Sequence, residues 1–527
     1  MPTLNWMGKE KVVNHHRDVP YRVLERVTEK GVLDSRGSDC GNMVIHGDNL
    51  EALKALLPEY EGKVDCIYID PPYNTGNENW KYNDNVNDPR IRKWIGDVVG
   101  KEGEDFSRHD KWLCMMYPRL QLLRKLLAPT GAIFISIDDN EQANLKIICD
   151  EIFGARNSVG IFVWQKRTSP DARKRVSTAH EYLLCYVFDI ERLNESINLL
   201  ALSDEDRKKY KNPDNDPRGP WTSTDYTAQG FRPNQMYTIT TPGGKTYTPT
   251  DGHCWKNTED EYLRQLSEGR FWFGRDGNGV PRRKTYLAER AGRNVWTWWD
   301  NKGVGHTQEA TQELTAIFGT KTAFDYPKPT RLIERVIQLA TKPNSIVLDS
   351  FAGSGTTAHA LLKLNEKDDG HRRFILVELS DYADTTTAER VRRVIHGYGD
   401  GKNVVPGIDS GFSYYELGPA LFRGDGTLSP GVTRADLARY VWATETRAPY
   451  EDLTDEHPYL LGERAQAVYY LAWEPGEETA LTYDLLRGLP RKGAPTVIYA
   501  DRCAIAPERL DEMGVVFKRV PDQIARI

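Results

Sequence analysis

At 527 residues the chain is long enough for more than one compact unit, and its net charge of −6 excludes a uniformly basic nucleic-acid-binding surface. Hydrophobic content of 39% with 28% charged residues is that of a water-soluble protein, and no run of ~18 apolar residues predicts a membrane-spanning helix. Seven cysteines with no Cys-x-x-Cys spacing read as reduced core thiols of a cytoplasmic protein, with no metal site.

In chain order, residues 1–41 read as a polar N-terminal arm without the charged head and apolar core of a signal peptide. A strand is expected at 42–46, a helix at 50–57 and a buried strand at 64–69. That strand ends in Asp70-Pro71-Pro72-Tyr73. Neither proline carries an N–H and both have a fixed φ, so their carbonyls can face outward, free of any strand ladder. A carboxylate and a free carbonyl can together accept two hydrogen bonds from an exocyclic amino group, and a ring beside them can stack on a planar base. The tetrapeptide also fits a plain strand-ending turn. Further on come a helix at 112–127, a strand at 132–137 and a helix at 141–153. Strands at 161–164 and 182–188 have no helix between them and should form an antiparallel hairpin.

The tip of that hairpin holds the densest basic run, with Lys166, Arg167, Arg173, Lys174 and Arg175. An isolated run of this kind is often a solvated loop, but its place beside Asp70 makes it the expected DNA contact. Arg282-Arg283-Lys284 is a second basic run. Between 190 and 325 turn pairs and aromatics crowd together and the strand–helix alternation stops, so this stretch reads as an insertion. A helix at 331–340 then leads to a short strand at 345–348, Asp349, and the loop Ser350-Phe351-Ala352-Gly353-Ser354-Gly355-Thr356-Thr357. A glycine loop between a strand and a helix lets backbone approach a ligand at the helix N-terminus. Glu378 ends the next strand, 374–377, where an acid suits two ribose hydroxyls. Strands alternating with helices imply a doubly wound, mostly parallel α/β sheet of seven strands with one reversed hairpin. This pattern resembles the methyltransferase sheet, a likeness which implies that the Asp70 strand and the glycine-loop strand meet at the switch point. Residues 400–527 read as a C-terminal α/β unit.

Asp-Pro-Pro-Tyr preceding Phe-x-Gly-x-Gly resembles the β-class DNA amino-methyltransferases, in which the catalytic motif comes before the cofactor motif. Gly47-Asp48-Asn49-Leu50-Glu51-Ala52-Leu53, the stretch from Tyr68 through Asp70 to Asn74-Thr75-Gly76-Asn77, and Asp110-Lys111-Trp112-Leu113 resemble more closely the modification subunit of type III restriction systems. So do Ser136-Ile137-Asp138-Asp139-Asn140-Glu141, Tyr326-Pro327-Lys328-Pro329 and Tyr459-Leu460-Leu461-Gly462-Glu463-Arg464. The resemblance implies a methyltransferase domain split into 42–189 and 326–399, a target-recognition domain at 190–325, and a C-terminal domain at 400–527 that serves dimerisation or partner binding. It implies S-adenosylmethionine held by Asp349, Phe351, Ala352, Gly353, Ser354, Gly355, Thr356, Thr357 and Glu378, with Asp48, Lys328 and Pro329 at its border.

The expected reaction is methyl transfer to the N6 amino group of adenine in double-stranded DNA. Asp70, Pro71, Pro72 and Tyr73 would be catalytic, in a cytoplasmic homodimer with a restriction subunit as partner. N4-cytosine methylation uses the same chemistry, though an Asp opening the tetrapeptide favours adenine. Gly353-x-Gly355-x-x-Ala358 also fits a dinucleotide oxidoreductase, which would leave Asp70-Pro71-Pro72-Tyr73 idle. A third alternative is a non-catalytic DNA-binding subunit that keeps the fold.

Overall fold

The computed structural model describes residues 3–75, 105–321, 323–448, 450–491 and 495–525. Gly76 and Asn77, at the end of the stretch that begins with Tyr68, lie outside them, as do the chain-end residues Met1, Pro2, Arg526 and Ile527. Two compact units emerge, one formed by Met1–Asn198 with Trp296–Ile527 and the other by Leu199–Val295.

The first unit is built on a ten-stranded sheet. Its strands are β1 (Arg22–Arg26), β2 (Met43–His46), β3 (Val64–Ile69), β4 (Leu127–Ile137), β5 (Ser158–Gln165), β6 (His180–Val187), β7 (Trp298–Trp299), β8 (Ile346–Asp349), β9 (Arg373–Glu378) and β10 (Ser413–Ala420). Their spatial order is β1-β10-β2-β9-β8-β3-β4-β6-β5-β7. The six strands from β10 to β4 run parallel, β6 is reversed between β4 and β5, and β1 is reversed at the far edge. The expected seven strands are therefore three too few. The missed strands carry no unbroken apolar run: β1 has charges at three of its five positions because only Val23 is buried, β7 is two residues long, and β10 contains Gly418 and Pro419. The hairpin of β5 and β6 forms as the absence of an intervening helix implies.

Helices of this unit include α1 (Asn49–Tyr60), α2 (Asp105–Leu126), α3 (Gln142–Cys149), α4 (Thr307–Phe318), α5 (Thr330–Ala340), α6 (Thr356–Asp368), α7 (Glu389–His396) and α8 (Arg434–Thr446). Side chains alternate along a strand. One face of the sheet, with Ile67, Ile69, Ile133, Ile135, Leu348 and Ile375, joins α1 and α2 in a single core with Leu53, Leu57, Trp112 and Leu123. The opposite face, with Cys66, Tyr68, Phe134 and Val347, is buried too, and α5 packs on β3 and β4. Burial on both faces explains why the central strands read as continuous apolar runs. Asp65, the one charge within β3, accepts the Ile346 N–H at 2.9 Å and ties β3 to β8.

Toward the C-terminus, Leu460–Arg464, Ala467–Leu471, Thr496–Ala500 and Val515–Arg519 form a four-stranded sheet. Its Leu461, Leu471 and Tyr499 share a core with Leu437 and Val441 of α8.

The unit Leu199–Val295 is narrower than the expected 190–325 insertion. It holds a three-stranded sheet of Trp221–Asp225, Phe271–Trp272 and Arg282–Tyr286, two short strand pairs and the helix Glu259–Ser267. Tyr226, Trp255, Tyr262, Phe271 and Phe273 form its core, whereas Phe231 is 71% exposed. Within the second basic run, Lys284 is buried against Asp214 and Asp216, and Arg282 pairs with Asp225 at 2.6 Å.

Candidate active site

Four acids sit at or just past the carboxyl ends of four neighbouring parallel strands: Asp48 after β2, Glu378 on β9, Asp349 on β8 and Asp70 after β3. Parallel register forces this arrangement, since Glu378 pairs with His46, Asp349 with Leu376 and Leu348 with Ile67. Two motifs some 280 residues apart in sequence thereby meet at one edge. Four like charges in a row repel, and each is handled differently.

Asp48 caps α1 by accepting the Leu50 N–H at 2.8 Å, and Arg119 from α2 pairs with it at 3.2 Å. Asn49 donates to the Ser350 carbonyl at 3.0 Å, so α1 also braces the start of the glycine loop. Glu378 is buried and accepts N–H bonds from Gly353 (2.8 Å) and Ser380 (2.9 Å), one on each oxygen. Asp349 accepts the Phe351 N–H at 3.0 Å and the Thr357 hydroxyl at 2.5 Å, yet burial pushes it up to about 7. Burial likewise raises Glu378.

The loop itself is tightly held. Gly353 and Gly355 have φ of 52° and 77°, the left-handed region that glycine enters without a Cβ penalty. A Cβ on Gly355 would lie 2.8 Å from the Thr387 carbonyl oxygen, and Thr387 in turn donates to the Gly353 carbonyl at 2.6 Å. Behind the loop, the buried Arg390 donates to Ser354 (3.0 Å) and Thr356 (2.8 Å) and reaches Glu313 of α4 at 3.3 Å.

Asp70 takes its two donors from side chains, one of them charged. Lys328 donates to its Oδ2 at 2.6 Å and the Tyr73 hydroxyl to its Oδ1 at 2.8 Å. Tyr73 also lies 3.1 Å from Oε2 of Glu181, which is 3.6 Å from Lys328 and receives Lys166 on Oε1 at 2.9 Å. Two carboxylates and the Lys328 ammonium thus surround one phenol, with Lys166 behind Glu181. Burial works against the Glu181 carboxylate, but Lys328 and Lys166 hold it below its ordinary range. Burial would lower Lys328, and Asp70 with Glu181 outweighs it. Burial and both acids push the Tyr73 phenol well above its usual range, so it stays protonated.

The Pro-Pro element is buttressed from α2 and from the start of α3. Trp112 donates its indole N–H to the Pro72 carbonyl at 2.7 Å. Asn74, at φ 57°, donates to Glu141, which also meets His109 at 2.5 Å and Asn144 at 2.8 Å.

This chain's residues 64–389, which contain both motifs, match the family profile described as DNA methylase. The chain belongs to the DNA methylase family. The type III restriction-modification enzyme StyLTI Mod subunit of Salmonella typhimurium is 35% identical over 446 residues, 79% of this methylase and 66% of that protein. The EcoP15I Mod subunit of Escherichia coli is 30% identical over 481 residues, 79% of this chain and 71% of that one. The type II methyltransferase M.KpnI of Klebsiella pneumoniae is 36% identical over 371 residues, 67% of this chain and 84% of that one. The methylase spans 66% and 71% of the length of the two Mod subunits.

Placement of the other expected site residues differs from one to the next. Arg167, Arg173, Lys174 and Arg175 are exposed on the β5–β6 loop of the methylase, with Arg173 bonded to its neighbour Asp171 at 2.9 Å. Lys166 instead turns inward to Glu181. Pro329 caps α5, and the Lys328 carbonyl meets the Thr356 hydroxyl at 3.4 Å, so the Lys-Pro pair bridges the glycine loop and Asp70. Phe351, Ala352 and Ser354 are buried in the loop, and Thr356 and Thr357 are buried in the first turn of α6. Sequence reasoning missed Glu181, Arg119 and Arg390. A charged residue opening an apolar strand was the one available signal for Glu181.

Proposed function

We propose that this methylase transfers a methyl group from S-adenosylmethionine to the N6 amino group of adenine in duplex DNA. The observation that carries the reading is the meeting of Asp70-Pro71-Pro72-Tyr73 with the glycine loop and Glu378 on adjacent strands. A base amino group is paired inside a duplex, so the target base must leave the stack. Asp70 and the Pro71 carbonyl then accept its two hydrogens, the Pro72 carbonyl being taken by Trp112. These bonds localise the nitrogen lone pair along the line of attack, and Asp70 stabilises the positive charge that develops on nitrogen. Tyr73 stacks on the base.

The residues present fit the cofactor. One N–H on each oxygen holds the Glu378 carboxylate at the tip of β9, where it can accept from ribose hydroxyls, and the two glycines leave backbone bare where an adenosine would lie. When bound, the cofactor supplies an electrophilic methyl on a cationic sulfur. Asp70, whose strand neighbours the glycine-loop strand, would set a carboxylate near that cation.

By the names of its relatives, the protein serves as the modification component of a restriction-modification system, acting on double-stranded DNA beside a restriction subunit in the cytoplasm. We assign Leu199–Val295 to target recognition, the four exposed β5–β6 loop cations to phosphate contact, and the C-terminal sheet to self-association as a homodimer.

The test is incubation with DNA and methyl-labelled cofactor, followed by mass analysis of the nucleosides. N6-methyladenine is the expected product. N4-methylcytosine would correct the base, and absence of any methylated nucleoside would refute the reading.

A further inference from the structure

Both oxygens of Asp70 are already occupied by donors from the protein itself, Lys328 on one and Tyr73 on the other. Each oxygen keeps a second lone pair, so an incoming amino group competes with these donors for the same carboxylate, and the bond it forms weakens theirs. Expelling a buried ammonium from its carboxylate is costly when nothing else receives it. Here something does. Lys328 lies 2.6 Å from Asp70 and 3.6 Å from Glu181, and the Tyr73 hydroxyl lies 2.8 Å and 3.1 Å from the same two carboxylates.

We propose that Glu181 is a positioning residue for methyl transfer, a second carboxylate that takes over Lys328 and the Tyr73 hydroxyl as the target amino group reaches Asp70. The inference rests on the function proposed above and adds to it a residue that no motif marks. In the resting protein Asp70 is masked. On base entry the phenol hydrogen and the ammonium swing to Glu181, and Asp70 is freed for the base.

Three features favour this exchange over a static ion cluster. A phenol has one hydrogen, so Tyr73 donates to one acid at a time, and its hydroxyl is placed within reach of both, 2.8 Å from Asp70 and 3.1 Å from Glu181. Glu181 is fixed from behind by Lys166 on its other oxygen, and it sits on a paired strand, so the receiving carboxylate does not have to move. Lys328 is flanked by Pro327 and Pro329, which stiffen its backbone and leave the swing to its flexible side chain. The charge count also closes. The amino group is neutral, so its arrival leaves Asp70 with the developing cation on nitrogen and Glu181 with both ammonium groups.

The test compares wild type, Glu181→Gln, Glu181→Asp and the double variant Glu181→Gln/Lys328→Met in the full chain, at saturating S-adenosylmethionine. DNA methylation rates are read together with cofactor affinity and melting temperature. Glu181→Gln should lower kcat by ~10-fold or more with cofactor affinity within twofold, because Lys328 now has Asp70 alone to hold. Glu181→Asp keeps the charge and should fall between the two. The double variant should be several-fold faster than Glu181→Gln, since no ammonium then masks Asp70. A residue that only stabilised the pocket would give a double variant as slow as or slower than the single one, and that result overturns the proposal. So would a Glu181→Gln rate within twofold of wild type. Loss of cofactor binding in the double variant would also overturn it, by assigning the ammonium to the cofactor. Wild type that methylates no DNA would instead refute the function itself.

Discussion

Replacing Gly355 with alanine tests whether the glycine loop is shaped by its own backbone or by its ligand. At φ 77° a Cβ costs roughly 1–2 kcal/mol from the left-handed conformation alone. The new Cβ would also stand 2.8 Å from the Thr387 carbonyl oxygen, too close for carbon. Thr387 cannot easily yield, because its hydroxyl is bonded to the Gly353 carbonyl at 2.6 Å. The combined cost should reach about 2 kcal/mol or more, equivalent to roughly 30-fold in an equilibrium constant. It can surface in two places. If the scaffold keeps the loop in shape, the free protein is destabilised; if the loop shifts to relieve the clash, S-adenosylmethionine affinity falls. Calorimetric titration with the cofactor and denaturant unfolding of the same sample capture the sum. Gly319→Ala is the internal control: it has φ 74° and, its chain neighbours aside, a Cβ there meets nothing within 4 Å, so it should cost only the conformational part and leave cofactor binding unchanged. If Gly355→Ala binds cofactor within twofold of wild type and unfolds at the same denaturant concentration, the steric account of this loop is wrong.

Asp70→Ala should abolish methylation, costing ~3 kcal/mol or more in the transition state, while calorimetry finds cofactor affinity within a few-fold. Neutralising Arg167, Arg173, Lys174 and Arg175 together should weaken binding to all DNA sequences alike and flatten the plot of log affinity against log salt by ~0.9 for each phosphate no longer neutralised; an unchanged slope would place the duplex elsewhere. Asp349, raised to about 7 by burial, keeps a proton in the folded state that it loses near pH 4 when unfolded. It therefore contributes a fall in stability as pH rises from about 4 to 7, and Asp349→Asn should remove that contribution, seen as a flatter unfolding free energy over this range.

What the sequence disclosed depended on how local each determinant was. Asp70-Pro71-Pro72-Tyr73 and Gly353-Ser354-Gly355 declare themselves because their chemistry lies within four consecutive residues, and the parallel sheet between them follows from alternating apolar runs. Glu181 could not be found that way. Its partners are Tyr73, Lys166 and Lys328, and the register that sets Glu181 opposite Trp164 and diagonal to Lys166 is fixed by pairing across a loop spanning 166–179. A loop that long imposes no turn geometry, so the register cannot be read from its residues. Lys328 shows the same limit. Its likeness to a cofactor-side motif placed it near the glycine loop, whereas its ammonium lies on Asp70 and only its carbonyl meets Thr356. Arg119 and Arg390 are buried charges on helices, indistinguishable in sequence from surface arginines until α1 and the loop supply their partners.

The strand β10 lies between β1 and β2, which are joined to each other by only a short stretch of chain. A ribosome delivers β1 and β2 long before β10, so they acquire their common neighbour only when residue 413 emerges. Until then both strands expose unpaired edges beside Asp48 and the α1 cap, and an exposed edge invites pairing with the wrong chain. Maturation of the cofactor side of this enzyme is thus deferred until β10 has been made. A chain stalled before residue 413 would present the Asp70 motif in a sheet whose β2 edge, beside Asp48, still lacks its neighbour.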